Sequence, residues 1–335
     1  MITASPLPAQ QARTWQRLWR EAIADPRELL ELLDLGHLAD VLLPARDTGF
    51  AMRVPHQFAA RMRRGDARDP LLLQVLPQAA ELLETVGYGT DAVGDLDARA
   101  AGGVLCKYAG RALLIATGSC AVNCRYCFRR HFPYAQETAA AHRWQEAIEH
   151  VRRDASIEEV ILSGGDPWSL ATTKLAELTA QLASIPHLRR LRIHTRLPIV
   201  LPERVDAELL DWLRRLPWPV AVVLHANHAN EIDGSVVDAC ARLRDAGASL
   251  LNQSVLLRGV NDDVDTLADL SVRLFAAGVL PYYLHQLDRV AGTAHFAVAD
   301  ARARGLIAQL RGRLSGYLVP RLVREIAGEA AKTPL

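Results

Sequence analysis

The segment GSCAVNCRYCFRRHFPY, residues 118–134, holds Cys120, Cys124 and Cys127, three of the five cysteines in the chain. Their C-x3-C-x2-C spacing brings three thiols to one loop, and thiolates are the ligands of zinc and of iron–sulfur clusters. Three is one short of a closed four-coordinate site. Two chemistries follow. In one, His131 completes a Cys3His zinc site, or the cysteines are simply reduced loop residues. In the other, the three thiolates hold three irons of a four-iron cluster, and the fourth iron stays open to a ligand with oxygen and nitrogen donors. Cys106 and Cys240 lie far from this group, which is not the pattern of a secreted disulfide framework. Cys240, within VVDACARLRDAG, reads as a small buried hydrophobe on a helix.

The elements that must position this loop are legible in the hydrophobic pattern. Through the first hundred residues TWQRLWREAIAD, PRELLELLDLG and LLLQVLPQAAELLETVG carry helical periodicity broken by Pro and Gly. From Arg111 onward, short apolar runs alternate with amphipathic segments. The strands are expected at 112–118, 158–165, 189–196, 220–227, 249–256 and 280–287, with TTKLAELTAQLASI, DAELLDWLRRL, SVVDACARLRDAG and VDTLADLSVRLFAAG as helices between them. Strand-then-helix units in series require parallel pairing with right-handed crossovers, in a doubly wound or barrel-like sheet. The polar segments GSC, SGGDP, HTR, HANHANE, NQS and HQLD all fall at or just after strand ends, the face on which such folds build their sites. That convergence favours an enzyme.

Composition narrows the partners. With half its residues hydrophobic and 23% charged, the chain is of globular type, and its net charge of +1 gives no case for nucleic acid or a membrane surface. The opening MITASPLPAQQARTWQRLWREAI has no apolar core of a signal peptide, and no apolar run approaches the roughly 18 residues that cross a bilayer. A reducing, cytoplasmic setting is expected.

The cysteine loop after the first barrel strand, with Tyr126 just before the third cysteine, resembles that of the radical S-adenosylmethionine (SAM) enzymes. CRYCFRRHF, SGGDP, NQSVLLRGVND, PYYLHQLDRVAGTAHF and KTPL together resemble the lysine 2,3-aminomutase family over nearly the whole chain, from about residue 50 to 335. The likeness is strongest to its short bacterial branch, which serves β-lysylation of elongation factor P (EF-P).

The resemblance implies an α/β fold, the radical SAM partial (βα)6 TIM-like barrel over residues 101–310, with a helical N-terminal region (1–100) and a C-terminal segment (311–335) closing the site. It implies a [4Fe-4S] cluster on Cys120, Cys124 and Cys127, with SAM on the open iron and its amino group met by Gly164, Gly165 and Asp166. Pyridoxal 5'-phosphate (PLP) is implied on Lys332, with Lys107, Tyr108 and Arg111 of KYAGR at its phosphate. Arg129 is implied to hold the substrate carboxylate, and Asp288 with Glu325 the distal ammonium of L-lysine, which two carboxylates favour over glutamate. The implied reaction moves the 2-amino group to carbon 3, giving β-lysine. It requires an external electron donor, connects through β-lysine to a ligase and EF-P, and admits a homo-oligomer. A catabolic lysine 2,3-aminomutase, an aminomutase of another amino acid and a zinc-stabilised binding module are the alternatives.

Departures from the family pattern are visible too. Glu325 stands where many relatives have Asp, AGEAA replaces a glycine run before Lys332, and no cysteine follows Cys240, so no zinc is expected.

Overall fold

The computed structural model describes residues 15–45, 47–134 and 141–335. Residues 1–14, which hold the start of the expected N-terminal helical region and most of the stretch read for a signal peptide, lie outside the described residues. Among the described residues no helix is long and apolar enough to cross a membrane.

Ten strands form one sheet in sequence order: β1 (Arg99–Ala101), β2 (Val104–Leu105), β3 (Arg111–Thr117), β4 (Glu159–Gly164), β5 (Arg190–Thr195), β6 (Val220–Leu224), β7 (Ala248–Leu256), β8 (Leu280–Gln286), β9 (Arg321–Arg324) and β10 (Thr333–Pro334). Every pairing from β3 to β9 is parallel, whereas β1, β2 and β10 join antiparallel at the two edges. The edges do not pair with each other, so the sheet stays open. The expected strands correspond to β3 through β8. A seventh parallel strand, β9, extends the sheet beyond them.

The crossovers carry helices α1 (Ala141–Arg153), α2 (Thr172–Leu182), α3 (Ala207–Arg214), α4 (Gly234–Asp245), α5 (Val264–Ala276) and α6 (Asp300–Arg313). Helix α2 buries Leu175, Leu178, Thr179 and Leu182, a three-and-four spacing that gives one apolar stripe to the sheet. Helices α3, α4 and α5 each start at an aspartate, Asp206, Asp233 and Asp263, whose carboxylate accepts from an amide of the first turn.

The N-terminal region is made of short helical turns. Its third expected helix stops at Leu73 and resumes as a single tight turn at Ala79–Leu82, because Pro77 between them has no amide donor and excludes the helical conformation of its predecessor. Leu29, Phe58 and Leu72 from this region share one continuous core with Leu162, Ile199 and Val200 of the sheet and its connections. The site therefore has an N-terminal wall as well as a strand-end floor.

Where β3 and β4 end, their backbones nearly touch. A Cβ on Gly164 would lie 2.5 Å from Thr117 O, and one on Gly165 would lie 2.4 Å from Ser119 O. Gly164 also holds φ +116°, a conformation closed to other residues. Both glycines are required by this approach to the backbone that leads into the cysteine loop. The same two residues also border the cavity at the strand ends, where a ligand is expected to meet them. Gly165→Ala is expected to cost about 1–3 kcal/mol, as overpacking does, read from denaturant unfolding of the cofactor-free chain. An unchanged midpoint would mean that the cysteine loop yields freely.

Candidate active site

A cavity of about 510 Å³ opens at the C-terminal ends of the parallel strands. Cys120, Cys124 and Cys127 line it from the loop after β3, and Gly164, Gly165 and Asp166 from the turn after β4. Asp288 follows β8, Glu325 follows β9, and Lys332 precedes β10. Lys107, Tyr108, Arg111 and Arg129 complete the set of site residues expected from sequence, and they line the same cavity. His131 is not among them. Its exposed ring turns away, with Nε2 3.1 Å from Ala291 O, and this removes the Cys3His arrangement.

The seventeen-residue stretch containing the cysteines has no regular structure, so something else must hold it. That anchor is Glu81. Its buried carboxylate accepts from Arg125 Nε (2.8 Å) and Nη2 (2.5 Å) and from Arg130 Nη2 (2.7 Å). Arg125 Nη1 also donates to Phe50 O (2.7 Å), and Arg130 Nη1 to Arg125 O (3.0 Å). Two guanidiniums interleaved with the cysteines are thus tied to the N-terminal region.

Among the described residues no three His, Cys, Asp or Glu side chains converge as ligands of one metal ion. In a multi-iron cluster each sulfur takes a different iron, so its thiols need only border a common space, as Cys120, Cys124 and Cys127 do here. Burial raises the Cys120 thiol well above its ordinary range and pushes Cys127 up to about 11, so metal binding here has to displace protons. Arg196 meets the same loop: its Nη1 lies 2.7 Å from Cys124 Sγ and 2.7 Å from the Tyr126 hydroxyl. Its Nη2 donates to Gln74 Oε1 (2.7 Å) and Glu231 Oε2 (2.8 Å). Sequence reading flagged HTR as a polar strand end but gave Arg196 no role, and Gln74 had no signal at all.

Asp166, expected near the SAM amino group, has its carboxylate committed to structure. It accepts from Thr195 Oγ1 (2.7 Å), Arg196 N (2.7 Å), Trp168 N (3.0 Å) and Leu197 N (3.1 Å), bracing the end of β4 against that of β5. In NQS, strand alternation sends Gln253 to the cavity, whereas Asn252 and Ser254 bond the backbone of Ala226.

The opposite wall is a row of alternating charges. The hairpin of β9 and β10 pairs Arg324 with Thr333, which sets Lys332 beside Glu325, and Lys332 Nζ donates to Glu325 Oε2. Glu325 Oε1 accepts from Lys107 Nζ (2.9 Å), Lys107 Nζ pairs with Asp95 Oδ1 (2.6 Å), and Asp95 Oδ2 accepts from Arg129 Nε (2.6 Å). Asp95 was not singled out in the sequence. Burial pushes the Glu325 carboxyl up, but Lys332 and Lys107 outweigh it and bring it down to about 2. Asp288 behaves oppositely: burial, reinforced by the nearby Glu325 charge, pushes it up to about 7.

Two outcomes follow. Glu81→Gln leaves two buried guanidiniums without their anion and is expected to destabilise the chain by about 3–5 kcal/mol, measured by denaturant unfolding; a loss below 1 kcal/mol would remove Glu81 as the anchor. For Asp288, the folded value of about 7 stands above the ordinary 3.8. The folded state therefore holds the extra proton between those values, and this stability, full at lower pH, is lost as pH rises through 7. Asp288→Asn in the cofactor-free chain should accordingly gain thermal stability over the native sequence at pH 8 relative to pH 5. An offset independent of pH would contradict the assignment.

Residues 114–270 match the radical SAM superfamily. The chain is 49% identical to L-lysine 2,3-aminomutase of Escherichia coli (strain K12), covering 96% of this chain and 94% of that one. It is 36% identical to L-lysine 2,3-aminomutase of Clostridium subterminale, covering 96% and 77% respectively. Among solved structures, a radical SAM methyltransferase from Sphaerobacter thermophilus aligns over 66% of this chain and 68% of its own, at 18% identity and a TM-score of 0.46. Identity of this extent along almost the full length of both sequences makes the chain a member of the L-lysine 2,3-aminomutase family, a radical SAM isomerase.

Proposed function

We propose that the chain converts L-α-lysine to β-lysine with a [4Fe-4S] cluster, SAM and PLP. The observation that carries this reading is the placement of Lys332, its ammonium held by Glu325 inside the same cavity that the three cysteine thiols border. When bound, the reduced cluster and SAM supply the radical that removes a hydrogen from the β-carbon, and PLP supplies the group that carries the nitrogen in migration.

The residues of the chain divide the remaining work. Cys120, Cys124 and Cys127 hold the cluster, and the backbone of Gly164, Gly165 and Asp166 faces SAM. Lys332 holds PLP, with Tyr108, Lys107 and Arg111 beside its phosphate; Arg111 lies against Tyr108, 5.4 Å from guanidinium carbon to ring centroid. Arg129 takes the substrate carboxylate. Glu325 and Asp288 take the distal ammonium, and the arriving cation draws Asp288 into its ionised form. A site that hydrogen-bonds such a group rejects analogues lacking it by about 10⁴ or more. Glu325 is one methylene longer than aspartate, and that reach lets one carboxylate meet Lys332 and Lys107 together. Of the expected N-terminal region (1–100), residues 15–45 and 47–100 act as the bracing wall, with 101–310 as the radical SAM core and 311–335 as the segment that delivers Lys332.

The product serves β-lysylation of EF-P through a separate ligase, and an external donor reduces the cluster. The likeness of the chain to the short bacterial branch of the family supports this assignment. The five cysteines are all unpaired, which supports a reducing, cytoplasmic setting.

The test is anaerobic purification, iron and sulfide analysis, an ultraviolet-visible spectrum with PLP, and product analysis with lysine, glutamate and arginine. The expected result is a brown protein that makes β-lysine from lysine alone. Lys332→Ala should lose isomerisation and the imine absorbance of PLP while retaining iron and reductive SAM cleavage. Undiminished turnover by that variant would remove Lys332 from the site.

A further inference from the structure

Asp95 occupies a position that none of the assigned roles explains. It lies on a loop after the N-terminal wall, is 1% exposed, and bridges two cations. Oδ2 accepts from Arg129 Nε at 2.6 Å, and Oδ1 pairs with Lys107 Nζ at 2.6 Å. The loop itself is fixed. Asp91 accepts from the amides of Asp95 and Leu96, both at 2.9 Å. Gly94, at φ +66°, abuts the segment leading to Lys332, where a Cβ would come within 2.9 Å of Ala327 Cβ. Val93 O receives a further bond from Lys107 Nζ at 2.8 Å.

A guanidinium is a planar fork, so a carboxylate on its Nε edge sets the plane of the whole group. Ser163 Oγ, 3.3 Å from Nη1, steadies the same plane from β4. We propose that Asp95 is a positioning residue for substrate: it fixes the plane of Arg129 toward the substrate carboxylate and, through Lys107, the distance from Arg129 to Glu325 and Lys332. The two ends of the amino acid are thereby read by one rigid row of charges. This inference rests on the proposed roles of Arg129 and Lys332, and it adds a cavity-lining residue whose two carboxylate oxygens are each taken by a cation of the chain.

The test compares binding of L-lysine and L-lysine amide, which lacks the carboxylate, to the PLP-loaded, cluster-containing protein, read from the PLP absorbance. Asp95→Asn keeps size and shape, and Arg129→Lys serves as the reference. Asp95→Asn is expected to lose at least tenfold of the preference for lysine over its amide, as Arg129→Lys does, in protein that still carries PLP, with a lowered melting temperature because Arg129 and Lys107 lose their shared anion. The double variant should lose no more than the single ones. Asp95→Glu, which restores the anion, should recover part of the preference. Retention of the full preference in Asp95→Asn, or equal weakening of both ligands, would overturn the proposal. A native protein that bound PLP but showed no preference for lysine over the amide would instead overturn the role given to Arg129.

Discussion

Everything at the strand ends depends on one buried carboxylate. Glu81 accepts from Arg125 and Arg130, and these two guanidiniums sit within the stretch that presents the cysteines. An irregular loop has no hydrogen-bond ladder of its own, and fixing its backbone costs conformational entropy at every residue. Charge-assisted bonds in a dry interior supply the rigidity that secondary structure does not. Arg196 and Glu231 repeat the device on the other side of Cys124.

The cavity sorts its charges by wall. On the cysteine side, guanidiniums face thiols and a buried carboxylate, surroundings that hold a sulfur-rich anionic group in place. On the Lys332 side, cations and anions alternate so that each is flanked by its opposite. Asp288 stands apart from the row. Buried and close to Glu325, it keeps its proton to higher pH than an exposed aspartate does. Two carboxylates in one site thus differ in protonation because their neighbours differ.

The parallel core was legible because β3 through β8 are apolar runs separated by amphipathic helices, and their polar ends announced the site. The thirteen expected site residues do line one cavity, although the fold alone does not assign their roles. β9 was missed because RLVR is four residues long between Pro320 and Glu325, too short for alternation to register. Gln74, Glu81 and Asp95 were missed for a different reason. Each acts on a partner far along the chain, as Gln74 does on Glu231, 157 positions away, and spacing rules see only neighbours. Gly164 and Gly165 have a second reason to be glycine that a sequence cannot show, the close approach of the backbone at Thr117 and Ser119.

The same long-range construction bears on how the site comes to be complete. Lys107 and Glu325 are 218 positions apart and meet only when the last strand of the parallel set has docked. Contacts of such separation form slowly, because the entropy of closing long loops is lost before the contacts form. Without that docking the cavity lacks the wall that carries Glu325 and Lys332. Completion of the site is therefore tied to completion of the sheet, and a substitution that loosened β9 would open the cavity that Cys120, Cys124 and Cys127 border without touching any of them.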